Sequence, residues 1–170
     1  VILRTTTRLS HSQGLVTLED RVVPEDKPYE RNIKKHVMMP AMAKQRHLHV
    51  EQRELDMSAD GASMPINRIE MNDKKNGVIT CGIEYQYVKE VLPNASVLKL
   101  GLVNPLPKQM ILDFAAQVEE LYVIEELDPV IEEQVRSWGI ACHGKDLLTV
   151  QGEYSANLLR KAILYEELDL

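Results

Sequence analysis

The pattern of apolar and polar positions changes character twice along the chain. Residues 1–7 form a short β-prone run, and the next two dozen residues mix charges with serine, glycine and proline, a composition typical of a linker. From Met42 to about Met57 the charges are dense, which predicts a largely exposed helix after Pro40. We therefore expect residues 1–20 to be the tail of a preceding domain and residues 21–61 to be a linker and helical arm.

From residue 62 onward, short β-branched runs alternate with segments of helical period, as in a layered α/β sheet. The predicted strands are Ile66–Glu70, Gly77–Thr80, Ser96–Leu100, Leu121–Ile124 and Gly139–Cys142. Helices are predicted over Ile83–Leu92, after Pro107, after an Asp128 cap with Pro129 in the first turn, and after a Ser155 cap.

The order of these elements predicts a fold class. Strands that recur after helices favour right-handed crossovers and parallel pairing. The polar segment 72–77 predicts a turn, so the first strand should run antiparallel. We therefore expect residues 62–170 to form a three-layer α/β/α sandwich around a mostly parallel five-stranded sheet with one antiparallel strand.

Composition narrows the function classes. The chain has 170 residues, 44% of them hydrophobic, and a net charge of −6, which argues against nucleic acid as a partner. No apolar run approaches the roughly 20 residues that span a bilayer, and the first residues lack the charged-then-apolar pattern of a signal peptide. We therefore expect a cytoplasmic protein without a membrane partner. Because the chain begins inside a β-prone run without a methionine, we expect it to be a segment of a longer protein.

Candidate chemistry collects where two predicted strands end. Thr80, Cys81 and Gly82 follow one strand and precede a helix, where amide groups and the helix dipole could hold an anion or lower the pKa of the thiol. The alternatives are that Gly82 serves tight packing and that Cys81 belongs to the core. Glu125 and Glu126 follow another strand and could act as a base, contact a partner or stay solvated.

Arg8 lies in the polar cluster that follows the first apolar run. Its guanidinium could bind an anion through two hydrogen bonds or form a structural salt bridge.

Several motifs, in order, resemble the α subunit of indolepyruvate ferredoxin oxidoreductases. They are Leu3-Arg4-Thr5-Thr6-Thr7-Arg8, Met39-Pro40-Ala41, Gly77-Val78-Ile79-Thr80, Lys99-Leu100-Gly101 with Pro105-Leu106-Pro107, and Tyr122-Val123-Ile124-Glu125-Glu126-Leu127-Asp128-Pro129. The last two blocks are the most specific, and the resemblance covers nearly the whole chain.

The resemblance implies a thiamine-diphosphate enzyme that oxidatively decarboxylates aryl pyruvates, with coenzyme A as acyl acceptor and ferredoxin as electron acceptor. It implies magnesium and 4Fe-4S clusters in the complete enzyme, a β subunit, and a middle domain resembling the C-terminal domain of transketolase, which residues 62–170 would form. The cluster cysteines and the Gly-Asp-Gly motif of the family are absent from the chain, so no catalytic, cofactor or metal residue is assigned.

One residue departs from the family pattern, because Cys81 stands where Thr-Ser-Gly has serine. This change argues against a required hydroxyl at that position. Two alternatives stay open: a domain of another thiamine enzyme, such as a pyruvate:ferredoxin oxidoreductase or a transketolase-like protein, and a free-standing α/β regulatory module.

Overall fold

The structure, a computed structural model, describes Ile2, Thr5 and residues 7–166. The chain divides into two compact units, Val1–Val37 and Met38–Leu170. The first unit contains two short helices, α1 (Thr7–His11) and α2 (Ile33–His36). The strand predicted over residues 1–7 falls mostly outside the described residues, Ile2 and Thr5 have no regular structure, and Thr7 opens α1.

The second unit holds the arm and the sheet. Its elements are α3 (Pro40–Asp60), β1 (Arg68–Glu70), β2 (Asp73–Cys81), α4 (Glu84–Val91), β3 (Ala95–Leu100), α5 (Lys108–Ala115), β4 (Glu120–Ile124), α6 (Val130–Ser137) and α7 (Ala156–Ile163). The arm helix α3 thus belongs to the same compact unit as the sheet, and the functional division at residues 20 and 61 stays a prediction. Within the described residues, no helix is both long and apolar enough to cross a membrane.

The sheet has the strand order β1-β3-β2-β4. β2 pairs in parallel with both β3 and β4, and β1 pairs antiparallel with β3, as predicted. The predicted count of five strands is wrong. The chain after α6 pairs with β4 at a single bridge, Tyr122 to His143. The pairing ends there because the next amide, Gly144 N, donates to the Asp146 carboxylate at 2.6 Å and not to β4.

The polar segment 72–77 is not a free turn, contrary to prediction. β2 already begins at Asp73 and is irregular in its pairing with β3 between Asp73 and Gly77. Ser96 on β3 explains this extension: its hydroxyl accepts from Asn72 N at 2.9 Å and donates to the Asp73 carbonyl at 2.6 Å. A polar strand end is thus held by side-chain bonds that local periodicity does not reveal.

Both faces of the sheet are buried, which confirms the three-layer architecture. Neighbouring residues in the strands point to opposite cores, so Val78 packs with α4 and α7 while Ile79 packs with α5 and α6. Central residues of both cores are fully buried, among them Val88, Leu159, Ile111 and Phe114. Each such side chain contributes roughly 1.5–3 kcal/mol relative to exposure.

Candidate functional site

The parallel strands β2 and β4 end side by side, with Thr80 opposite Ile124. The Thr80 hydroxyl is fully buried and donates to the Ile124 carbonyl at 2.9 Å, so it fastens the two strands together. This arrangement confirms that the segments 80–82 and 125–126 share one edge of the sheet. We call it the carboxyl edge.

Glu125 lies in this edge and is almost completely buried. Its carboxylate oxygens accept from Ile131 N at 2.9 and 3.0 Å and from Glu132 N at 2.9 Å, so it caps the start of α6. The predicted cap, Asp128, makes no such side-chain bond, and that prediction is wrong. The geometric reason is that the end of β4 aims the Glu125 carboxylate at the free amides of α6.

The pKa of Glu125 is raised because burial outweighs the hydrogen bonds from the α6 amides and the nearby charge of Lys145. The carboxylate is therefore a structural group and not a solvated loop charge. Glu126, its neighbour, is half-buried and accepts from Tyr154 N at 2.7 Å, which ties the segment before α7 to the edge.

Lys145 and Tyr154 complete the edge, and the sequence analysis missed both. The Lys145 ammonium donates to the Glu125 carbonyl and to the Tyr154 hydroxyl, the latter at 2.8 Å. The Tyr154 hydroxyl in turn donates to the Thr149 carbonyl at 2.6 Å. Burial lowers the pKa of Lys145 against the opposing effect of the surrounding carboxylates, and burial with those carboxylates raises the pKa of Tyr154 to about 12.

Glu84, the first residue of α4, is a second buried acid that the sequence analysis missed. Burial, followed by the charges of Glu126 and Glu125, raises the pKa of its carboxyl group. The sequence places Glu84 in the first turn of a predicted helix, where acidic residues are common. Its burial was not visible, because it depends on the fold of the β4–α6 segment.

Cys81 and Gly82 connect β2 to α4. Burial, together with the charges of Glu84, Glu125 and Glu126, raises the pKa of the Cys81 thiol to about 11. The suggestion that the helix dipole lowers this pKa is therefore wrong, because desolvation and carboxylates dominate. Gly82 has φ +61°, and a β-carbon there would lie 2.9 Å from a Glu84 carboxylate oxygen, so the turn itself accounts for the glycine.

The polar side chains of the carboxyl edge form hydrogen bonds within the protein. The thiol is protonated at neutral pH, and the carboxylates of Glu125 and Glu126 accept backbone amides. Such an arrangement holds loops in place and offers no activated nucleophile.

Five apolar side chains near this edge are exposed. They come from segments that adjoin the carboxyl ends of the parallel strands, and we call them the apolar rim: Ile66, Ile83, Val103, Leu127 and Val130. Leu127 is 59% exposed and has φ +59°, a left-handed conformation that is uncommon for a residue other than glycine.

Two of the groups implied by the resemblance, the 4Fe-4S cluster and the magnesium ion, do not fit these residues. The two cysteines, Cys81 and Cys142, are free thiols whose pKa values are raised by burial, whereas a 4Fe-4S cluster takes four thiolates. Among the described residues, no group of three or more His, Cys, Asp or Glu side chains is arranged to hold a metal ion such as magnesium. The side chain of Arg8 lies outside the described residues, so its anion-binding role stays a prediction.

Comparison with known proteins supports the motif resemblance. The chain is 37% identical over 166 residues to the indolepyruvate oxidoreductase subunit IorA of Pyrococcus horikoshii, covering 87% of this chain and 26% of that protein. The IorA subunit of Archaeoglobus fulgidus is 35% identical over 149 residues, covering 83% and 24%. That of Methanothermobacter thermautotrophicus is 32% identical over 180 residues, covering 96% and 29%.

No family model matches the chain. Among solved structures, the 2-oxoglutarate:ferredoxin oxidoreductase of Magnetococcus marinus, with 2-oxoglutarate, coenzyme A and succinyl-CoA bound, aligns with a TM-score of 0.45 and 18% identity, covering 58% of this chain and 18% of that one. The chain spans about a quarter of the length of the curated relatives that it matches. The resemblance predicted from the motifs is confirmed: the chain is a relative of the oxidoreductase subunit IorA and corresponds to one segment of it.

Proposed function

We propose that this chain is the middle domain, similar to the C-terminal domain of transketolase, of a 2-oxoacid:ferredoxin oxidoreductase. The observation that carries the proposal is identity of 32–37% to IorA subunits over 83–96% of the chain. The complete enzyme would convert indolepyruvate and other aryl pyruvates with coenzyme A to aryl-acetyl-CoA, carbon dioxide and reduced ferredoxin, in the cytoplasm.

The cofactors would belong to other parts of that enzyme. Thiamine diphosphate with magnesium would supply decarboxylation chemistry, and 4Fe-4S clusters would carry electrons. The described residues of this chain provide neither a metal site nor four cluster thiolates. Alone, the chain would have no oxidoreductase activity.

We assign the domain a role in assembly, with the apolar rim as its contact surface toward the remaining domains of the α subunit or the β subunit. Two features support this role. The carboxylates, the lysine and the tyrosine at the edge hold the loops in fixed positions through hydrogen bonds. Around them, apolar side chains are presented to solvent, where burial against a partner is favourable by about 25 cal/mol per Å² of apolar area.

A single substitution in the rim tests this role. Leu127→Asn removes the apolar side chain while asparagine tolerates the left-handed backbone, so the isolated chain should keep its melting temperature. In the full-length enzyme, the same change should weaken assembly or turnover. Met71→Asn is the matched control, because Met71 is a partly exposed apolar residue that follows β1 at the opposite edge of the sheet.

As isolated chains, the two variants should therefore have the same melting temperature. In the complete enzyme, only Leu127→Asn should weaken assembly or turnover. Equal turnover and equal subunit assembly for Leu127→Asn, Met71→Asn and the unmodified enzyme would refute the assignment of the rim.

A further inference from the structure

The helix α3 has a partly buried face and an exposed face. The partly buried face includes charged residues and the exposed face has none, which is the reverse of the usual distribution of charge on a surface helix. At 100° per residue, one face carries the partly buried residues Met42, Ala43, Arg46, Val50, Glu54, Met57 and Ser58. This face is held at its end where the Ser58 hydroxyl donates to the Leu106 carbonyl at 2.6 Å. The opposite face would ordinarily be charged.

That opposite face is instead uncharged. It consists of the exposed residues Ala41, Gln45, Leu48, Gln52, Leu55 and Ala59. Their spacing alternates between four and three residues along the whole helix, which is the spacing of a coiled-coil seam. Leu48 and Leu55 are 65% and 67% exposed. We call these six residues the α3 stripe.

The charges of α3 lie on the flanks of the stripe, and their order has two-fold symmetry. In an antiparallel pair of α3 helices with Leu48 on the axis, Ala41 of one copy lies opposite Leu55 of the other. On the same flank, Lys44 then lies opposite Glu51 of the second copy, and the pair occurs twice.

A parallel pair fits the sequence less well. It would set Glu51 of one helix against Asp56 of the other, which is a repulsive contact. Within the single chain, Glu51 pairs with His47 at 3.2 Å and Gln52 donates to Asp56 at 2.9 Å. These exposed contacts are weak and leave Glu51 able to meet a second cation.

We propose that α3 is a homodimerisation helix that pairs antiparallel, through the α3 stripe, with α3 of a second copy of this chain. We identify the partner as a second copy of α3 because the stripe has the spacing of a coiled-coil seam and because Lys44 and Glu51 are complementary about the two-fold axis. The inference is independent of the proposed oxidoreductase function, because it uses only the residues of α3.

Sedimentation equilibrium of the 170-residue chain, over about 10 µM to 1 mM, tests the pairing, since an interface of this size is expected to be weak. Leu48→Glu should raise the dimer dissociation constant at least about tenfold, because it sets two carboxylates together near the axis. Arg53→Glu is the matched control: it places the same side chain on α3 outside the stripe and the Lys44 flank, and should change the constant less than about threefold.

Charge exchange tests the orientation. Lys44→Glu and Glu51→Lys, each alone, should weaken the dimer by about threefold to tenfold, and the double exchange should restore it. A chain that stays monomeric throughout, or a dimer that Leu48→Glu leaves intact, overturns the proposal. A dimer dissociation constant that neither single exchange changes overturns the antiparallel register. Circular dichroism confirms that each variant is folded, which the exposure of all substituted residues favours.

Discussion

Replacing Glu125 with alanine should destabilise the fold, although the residue stands in a loop after a strand. The substitution leaves two buried amides at the start of α6, those of Ile131 and Glu132, without their acceptor. An orphaned buried donor costs about 1–3 kcal/mol, and loss of a helix cap typically costs about 1 kcal/mol. Release of the desolvated carboxylate offsets part of this loss.

The expected net effect is therefore about 2–3 kcal/mol in the free energy of unfolding. For a domain of this size, that corresponds to a decrease of roughly 6–9 °C in melting temperature. Glu125→Gln keeps one acceptor oxygen and should cost about 1 kcal/mol. Glu133→Gln, an exposed acid in the same helix, is the control and should stay within about 0.5 kcal/mol.

Urea unfolding of the isolated chain, followed by circular dichroism, gives these values directly. If Glu125→Ala unfolds at the same urea concentration as Glu133→Gln, the capping interpretation is refuted and the carboxylate is solvated after all.

Three further predictions concern the carboxyl edge. Because the pKa of Glu84 is raised in the folded chain, the associated stability is present below its ordinary value of 4.5 and is lost as pH rises through the raised value. Glu84→Gln should thus be more stable than the unmodified chain at pH 7 but not below pH 4.5, and urea unfolding curves that keep the same difference at both pH values would contradict this. Cys81, with a pKa of about 11, should react with iodoacetamide far more slowly than glutathione at pH 7, and equal rates would refute the assigned environment. Tyr154→Phe should destabilise the chain by about 1–3 kcal/mol because the Lys145 ammonium and the Thr149 carbonyl lose a partner, and an unchanged urea midpoint would show that water replaces the hydroxyl.

The fold was predictable where structure depends on local pattern. Short β-branched runs located β2, β3 and β4, and the helical spacing of Tyr85 and Val88 located α4. The Ser155 cap was also correct, because its hydroxyl accepts from Leu158 N three residues away. Sequence motifs identified the relationship to IorA, since they depend on ancestry and not on geometry.

Features that depend on distant segments were not predictable in the same way. The fifth predicted strand, Gly139–Cys142, would form only if that segment paired along β4. The turn at Gly144 limits the pairing to one bridge at His143. Lys145 meets Glu125 across 20 residues of sequence, and only the tertiary fold brings the two together. The neighbours of Glu125 in sequence suggest an exposed loop, but its carboxylate is structural because it accepts from the amides of Ile131 and Glu132 at the start of α6.

The measurement that tests the central proposal most directly is electron transfer by the complete enzyme. The full-length subunit, purified anaerobically with its partner subunit, thiamine diphosphate and magnesium, is mixed with coenzyme A and ferredoxin, and ferredoxin reduction is followed by its absorbance as indolepyruvate, pyruvate or 2-oxoglutarate is added. The proposal predicts reduction that requires coenzyme A and is fastest with indolepyruvate, while the 170-residue chain alone produces none. Absence of reduction with every 2-oxoacid would contradict the assignment to this class of enzyme, and faster turnover of 2-oxoglutarate than of indolepyruvate would contradict the proposed substrate.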